Sequence, residues 1–309
     1  MTDVLTQSSS SRIPTIRLVA GFAAIAGTLP YLTLKAHWLS GGLIGISDPA
    51  QLSGPEWIVL NAITFGLDAV AILLALALTL RWGLRLPAWL VLVPMWVGTG
   101  FLVPIALGLP ALLLSSPSPG GSSPLEPWVQ PLVYGGFGWQ GAALIVAFVL
   151  YTRQRWADTL RGPLDAVAPR PATQQVLRVF AAGAAGLAVL VAISQAARAA
   201  GAAGLDGALV ESLHALLALV GAAGALALVH RRPLAMPLWT AVAAAWVGSA
   251  AMFSWGLYMA GNTAAGTALS AADPAGGLTA LGQLMAGLVL GLVALVSLVE
   301  RRTGAVGPR

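Results

Sequence analysis

The chain has 309 residues, of which 58% are hydrophobic and only 9% are charged, and its formal net charge is +5. A soluble domain carries about 25% charged residues, so this chain cannot cover itself with a polar surface and must have lipid as its solvent. The positive charge does not indicate nucleic-acid binding, because the basic residues lie in short clusters between apolar runs. The absence of cysteine excludes disulfides, thiolate metal sites and cysteine nucleophiles.

Eight apolar runs are long enough to cross a bilayer about 30 Å thick at the helical rise of ~1.5 Å per residue. In chain order they lie near residues 15–38, 57–80, 87–109, 132–152, 174–199, 210–229, 233–260 and 277–299. Strands of a membrane barrel need only about ten alternating residues each, so runs of this length predict helices. The expected fold is therefore all-α, a polytopic membrane helix bundle of about eight transmembrane helices.

The basic residues between the runs predict the orientation, because cytoplasmic loops are enriched in Lys and Arg. Arginine clusters precede span one, follow span eight, and lie between spans two and three, four and five, and six and seven. Lys35 and Arg198 fall on the opposite side. Both termini are therefore expected in the cytoplasm.

The two halves of the chain match each other. PAWLVLVPMWVGTG, from Pro87, aligns at an offset of 150 residues with PLWTAVAAAWVGSA, from Pro237. Each half has an even number of spans, so the sequence predicts two parallel four-helix repeats related by an axis along the membrane normal. The expected boundaries are a cytoplasmic tail at 1–14, a first repeat at 15–152, a cytoplasmic linker at 153–173, a second repeat at 174–302 and a cytoplasmic tail at 303–309.

Polar residues concentrate in the outer halves of the spans. Asn61, Thr64 and Asp68 share one face of span two, with Asp68 ~16 Å deeper than Trp57 at helical rise. Polar groups that face lipid are costly, so such stripes should face one another. We therefore expect an outward-opening polar cavity that ends near Asp68. The candidate ligand-binding residues are Asn61, Thr64, Asp68, Gln140, Gln195, Arg198, Glu211, His214 and Gln283.

Several of these residues also have a structural explanation. Lys35, Arg198 and Glu211 lie near span ends, where snorkelling to the interface explains a charged side chain as well as function does. An ion pair between Arg198 and Glu211 across the outer loop is an alternative. The glutamines of spans four and eight also suit hydrogen bonding between helices. Asp68, near the middle of its span, is the residue that structure alone explains least.

Three segments carry a resemblance to other proteins: YLTLKAHWLSGG from Tyr31, GFLVPI from Gly100 and YGGFGWQGAAL from Tyr134. In these segments the chain resembles uncharacterised multi-pass membrane proteins of high-GC Gram-positive bacteria. The resemblance implies a location in the bacterial cytoplasmic membrane. It implies no activity and no functional residues.

Three classes of function fit the polar residues. The first is a small-molecule permease or transport subunit with Asp68 as a proton- or cation-coupled group. The second is a membrane-embedded enzyme that acts on an apolar or isoprenoid-like substrate, with Asp68 as general acid and His214 or Glu211 as its partner. The third is a structural or assembly partner in a membrane complex.

The motifs limit the chemistry of all three classes. Glu211 and His214 have the spacing of di-iron bundles, but those need two such motifs and this chain has one, so no metal site is predicted. No nucleotide-binding fingerprint is present, so ATP-driven work would require a separate subunit. The expected partners are the lipid bilayer, a small apolar or amphiphilic ligand and such a subunit. Whether a cofactor binds is left open.

Overall fold

A computed structural model describes residues 4–52, 54–114, 124–160, 162–164, 173–232, 236–266 and 274–305. The helices in these ranges are α1 (Val4–Leu39), α2 (Pro55–Thr79), α3 (Ala88–Leu114), α4 (Val129–Arg155), α5 (Ala157–Leu160), α6 (Gln174–Ala200), α7 (Leu205–His230), α8 (Leu238–Ala265) and α9 (Pro274–Ala305). Parts of the predicted tails and linker, residues 1–3, 161, 165–172 and 306–309, lie outside the described residues.

Eight helices of the described chain, all except α5, contain apolar segments of 23 to 28 residues that are long enough to cross a membrane. This confirms the predicted all-α polytopic fold. The protein is an integral, multi-pass membrane protein, and its apolar helices contact the lipid bilayer.

The observed helix ends differ from the predicted ones at a few places. Helix α1 begins at Val4 and so extends into the predicted tail, although its apolar segment begins at Thr15. Helix α8 begins at Leu238, later than the predicted start at 233, and Pro237 precedes it as the N-cap residue. Proline lacks the N–H that a helix interior needs, so it marks the helix boundary.

One compact unit comprises Met1–Met95 and Ile105–Arg155. In it, α1 packs along both α2 and α4. Arg17 on α1 is buried and donates hydrogen bonds to the carbonyl of Thr79, at 2.8 and 3.2 Å, and to the side chain of Gln154. Thr79 is the last residue of α2, so the guanidinium satisfies a carbonyl that the helix end leaves without a helical partner.

The other compact unit comprises Trp96–Pro104 and Trp156–Arg309. Helix α6 packs against α7 and α9, and α8 packs against α7 and α9. Its core is rich in alanine. The fully buried alanines include Ala188, Ala218, Ala225, Ala241, Ala245 and Ala286. Small side chains let helix backbones approach closely in lipid, where apolar association gives no driving force between helices.

The crossing of α7 and α8 depends on two glycines. A Cβ atom on Gly248 would lie 2.3 Å from the amide nitrogen of Gly221 and 2.4 Å from the carbonyl oxygen of Leu217. Because both contacts are with backbone atoms, no rotation of a side chain can relieve them. The two backbones are therefore in direct contact at this point.

We expect Gly248→Ala to lower the free energy of unfolding by roughly 1–3 kcal/mol, the range measured for overpacked cores. Gly261→Ala, on the same helix α8, is the matched control, since a Cβ at Gly261 meets no atom within 4 Å. Unfolding in mixed micelles of increasing SDS content would measure both variants. Equal effects of the two substitutions would contradict the contact at Gly221.

The middle of α3 belongs to the second unit and exchanges hydrogen bonds with α8. The indole Nε1 of Trp96 donates to Ser249 Oγ at 3.0 Å, and that of Trp246 donates to Thr99 Oγ1 at 3.2 Å. These are the residues that the alignment at offset 150 pairs, Trp96 with Trp246 and Thr99 with Ser249. A local two-fold relation between the two helix segments would produce this exchange. Duplication of the whole chain remains a prediction.

Candidate functional site

The predicted site residues fall into two groups. Residues Asn61, Thr64, Asp68 and Gln140 belong to the first unit, and residues Gln195, Arg198, Glu211, His214 and Gln283 belong to the second. Each group lies in the half of the helices that the sequence places on the outer side of the membrane.

Asp68 on α2 forms an ion pair with Lys35 on α1. Lys35 Nζ lies 2.7 Å from Asp68 Oδ2, and the two side chains are only 1% and 7% exposed. Of the two explanations offered for Lys35, the structure does not support snorkelling to the interface, because the ammonium is buried against Asp68. A buried carboxylate without a partner is very costly, and the lysine side chain is long enough to reach it from the neighbouring helix.

An aromatic cluster contacts this ion pair through Tyr31. Lys35 Nζ lies 3.7 Å from the centroid of the Tyr31 ring, close enough for a cation–π interaction. Tyr31 contacts Trp38 and Phe137 edge to face, and the rings of Trp38 and Trp57 are 5.3 Å apart. The sequence predicts Asp68 as the floor of an open cavity. In the structure Asp68 is buried and bound to Lys35. The cavity at this position remains a prediction.

The other polar residues of α2 bond to their own helix. Asn61 Nδ2 donates to the carbonyl of Trp57 at 2.9 Å, and Thr64 Oγ1 donates to that of Leu60 at 2.8 Å. Bonds to the preceding turn are a common way for such side chains to be satisfied inside a helix. Asn61 and Thr64 therefore have local partners that need no ligand.

In the second unit, Arg198 at the end of α6 binds Glu211 near the start of α7. Two parallel hydrogen bonds of 3.1 and 3.0 Å join the guanidinium to the two carboxylate oxygens. The side chains are 38% and 29% exposed. The structure thus contains the ion pair that the sequence offers as an alternative to a functional role.

One helical turn deeper, Gln195 and His214 lie at the same level on α6 and α7. Each is three residues from a member of the Arg198–Glu211 pair and shares its helix face. The His214 ring is 5.2 Å from that of Trp255 on α8. We call Gln195, His214 and Trp255 the polar layer.

The polar layer contains three buried atoms that lack partners. Gln195 Oε1, His214 Nε2 and Trp255 Nε1 accept or donate no hydrogen bond with any residue that the structure describes. Gln195 is only 1% exposed. Beside the layer, Ser194 Oγ and Thr279 Oγ1 are hydrogen bonded at 2.8 Å. The sequence pattern identifies Gln195 and His214 but not Trp255, because a tryptophan in an apolar run is typical of core packing.

Gln140 and Gln283 are both buried at helix crossings. A Cβ atom on Gly27 of α1 would lie 3.2 Å from the backbone nitrogen of Gln140. A Cβ atom on Gly256 of α8 would lie 2.9 Å from the Cβ of Gln283. Their positions between closely packed helices suit the structural role that the sequence offers as an alternative.

The predicted acidic site residue of each unit is paired with a basic side chain. Asp68 binds Lys35, and Glu211 binds Arg198. In the described part of the chain, no three His, Cys, Asp or Glu residues gather closely enough to hold a metal ion. The arrangement offers neutral hydrogen-bonding groups in the second unit and a closed ion pair in the first.

No protein-family model, no curated protein and no solved structure matches this chain.

Proposed function

We propose that the protein is a small-molecule permease or transport subunit of the bacterial cytoplasmic membrane, and that the polar layer binds its solute. The observation that carries the proposal is the presence of three unpartnered buried polar atoms at one level of an alanine-rich helix bundle, among the residues that the structure describes. Polar groups at such depth in membrane proteins commonly mark substrate pathways.

The unpartnered atoms of the polar layer would be costly if the layer were purely structural. A buried donor or acceptor without a partner costs about 1–3 kcal/mol, and native structures contain few of them. Three such atoms in one layer therefore destabilise the fold, and packing alone does not explain their presence. A bound solute with matching polar groups would remove that cost.

The atom types define the chemistry of the solute. Gln195 Oε1 can only accept a hydrogen bond and Trp255 Nε1 can only donate one, whereas His214 Nε2 does either, according to its tautomer. The complementary solute is a small uncharged molecule with both a donor and an acceptor, such as a hydroxyl or amide compound. Such a solute is more polar than the apolar or amphiphilic ligand that the sequence suggests.

The charged pairs have separate roles in this proposal. The Arg198–Glu211 pair is partly exposed and lies one turn above the polar layer, so it covers the entrance and must separate when a solute enters. The Lys35–Asp68 pair provides the ionisable group that couples transport to a proton or cation. The enzyme hypothesis has no comparable support, since both of its carboxylates are held by basic side chains.

Proteoliposomes filled with a bacterial metabolite extract test the proposal on many candidate solutes at once. Mass spectrometry of the external medium should show hydroxyl or amide compounds that leave faster than they leave protein-free vesicles. His214→Phe should slow their efflux by about tenfold, the effect of losing roughly 1.4 kcal/mol of binding. His37→Phe is the matched control and should transport normally. Efflux equal to that of empty vesicles for every compound would refute the permease.

The proposal also places both termini in the cytoplasm, and the absence of cysteine makes this easy to test. We expect Ser40→Cys, between α1 and α2, and Asp206→Cys, at the start of α7, to react in whole cells with a maleimide that cannot cross membranes. Asp158→Cys, in α5, should react only after the cells are permeabilised. The opposite labelling pattern would reverse the orientation that the arginines predict.

A further inference from the structure

The second unit contains a cleft at the end opposite the polar layer. It lies where α6 begins, α7 ends and α9 approaches its end. Gln174, at the start of α6, donates from Nε2 to the carbonyl of Val229 at 3.2 Å and so ties α6 to the last turn of α7. The polar side of the cleft is formed by Gln174, Arg231, Ser297, Glu300 and Arg301, and the apolar side by Leu177, Leu228 and Val229.

One buried polar atom of this cleft, and a second one nearby on α6, have no partner among the described residues. Ser297 Oγ lies in the wall of the cleft itself. Arg178 Nε lies on α6, one turn beyond Gln174 and on the same face of the helix. A guanidinium N–H can only donate a hydrogen bond, and a hydroxyl can donate one. Both atoms therefore suit a ligand that is rich in acceptors.

Arg231 has a backbone conformation that is unusual for a residue with a side chain. It follows the last residue of α7 with φ 56° and ψ 42°, in the left-handed region. Glycine is the usual residue at this position of a helix end, since any side chain is disfavoured there. Residues held in such conformations cluster at ligand-binding sites. Here the side chain of Arg231 lines the cleft.

The charge of the cleft favours an anion. Arg231 and Arg301 line the cleft together with Glu300, so the lining brings two positive charges and one negative charge. Arg178 adds a third positive charge from the same face of α6 as Gln174. Arg301 also donates a hydrogen bond to the carbonyl of Leu164. Glu300 accepts a hydrogen bond from the hydroxyl of Thr173. Arginine forks, amides and hydroxyls together are the groups that proteins use to bind phosphate oxygens.

We propose that this cleft binds a phosphate group, carried by an anionic phospholipid. Arg178, Arg231 and Ser297 contact the phosphate oxygens, and Leu177, Leu228 and Val229 contact the apolar part of the lipid. Arg301, which is bound to the Leu164 carbonyl, contributes its positive charge to the cleft. Basic pockets between the ends of transmembrane helices are a recurrent setting for anionic head groups. Because free phosphate would satisfy the same donors, the test has an arm for each source.

Native mass spectrometry of the detergent-solubilised protein provides the lipid arm. Wild type should retain phosphatidylglycerol at least about tenfold better than zwitterionic phosphatidylcholine. Arg231→Gly should reduce this retention by about tenfold, the loss expected for one charge-assisted hydrogen bond. Glycine suits φ 56°, so this variant removes the side chain without straining the backbone. Its matched control is Arg232→Gly, which removes the same charge from a neighbouring residue that does not line the cleft.

Calorimetry of the delipidated protein with inorganic phosphate provides the second arm. One outcome is that the wild type binds phosphate, that Arg231→Gly does not bind it, and that the wild type shows no preference for phosphatidylglycerol. The cleft would then be a phosphate site whose ligand is the free anion and not a lipid. Equal loss of lipid retention in Arg231→Gly and Arg232→Gly would overturn the site, because it would show only general attraction between opposite charges. Equal retention of both lipids, with no binding of phosphate, would overturn it as well.

Discussion

Asp68→Leu should lower the free energy of unfolding by about 3–5 kcal/mol, the range measured when one partner of a buried ion pair is removed. The substitution leaves the ammonium of Lys35, which is 1% exposed, without its counter-charge. The contact of Lys35 with the Tyr31 ring compensates for only a part of the lost ion-pair energy, because a cation–π interaction contributes ~2 kcal/mol when desolvated. Denaturant titration in detergent micelles would measure the loss.

The double variant Lys35→Met/Asp68→Leu removes both charges of the pair and is the comparison for Asp68→Leu. Replacing both members of a buried pair by apolar residues is often neutral or stabilising by about 1–4 kcal/mol. We therefore expect the double variant to be at least as stable as wild type. If the pair couples transport, the same variant should transport no solute although it folds. A double variant that folds and transports normally would show that the pair has no role in coupling.

Gln195→Leu should raise the free energy of unfolding by about 1–3 kcal/mol, since it removes a buried acceptor that has no partner among the described residues. The substitution conserves much of the side-chain volume and replaces an amide by a branched apolar group. In the same variant we expect loss of solute efflux, because the layer no longer offers an acceptor. Stability gained together with transport lost is the signature of a binding site.

Gln174→Leu is the matched control for this result. Gln174 lies on the same helix and is also buried, but its amide donates to the carbonyl of Val229. The same substitution should here lower the free energy of unfolding by about 1 kcal/mol. If Gln195→Leu destabilised the protein as much as Gln174→Leu does, Gln195 Oε1 would have a structural partner. That result would contradict the proposal that the polar layer binds a solute.

The positions of the spans could be predicted from the sequence because a membrane imposes one strong requirement, a long apolar run, on every crossing helix. The helix ends were less predictable where a short loop contains few polar residues. Helix α7, for example, begins at Leu205 and not at 210. Gly201 and Gly204 end the previous helix and begin the next, and they carry no hydropathy signal strong enough to set the boundary.

The candidate site was predictable within each helix and not between helices. Helical spacing places Asn61, Thr64 and Asp68 on one face, but it does not decide whether Lys35 extends outward to the interface or inward to Asp68. That choice depends on the distance between α1 and α2, which results from the packing of many small residues. Trp255 was missed for the same reason, because only its neighbour on α7 distinguishes it from an ordinary core tryptophan.

The glycine and alanine contacts between α7 and α8 have a consequence for movement within the second unit. Alanine and glycine have no rotamers to exchange, so two backbones in direct contact cannot slide past each other by small side-chain adjustments. Helices α7 and α8 should therefore move as a single rigid body. Any gate above the polar layer must then open on the other side of α7, by a hinge or shear of α6 that breaks the bond between Arg198 and Glu211.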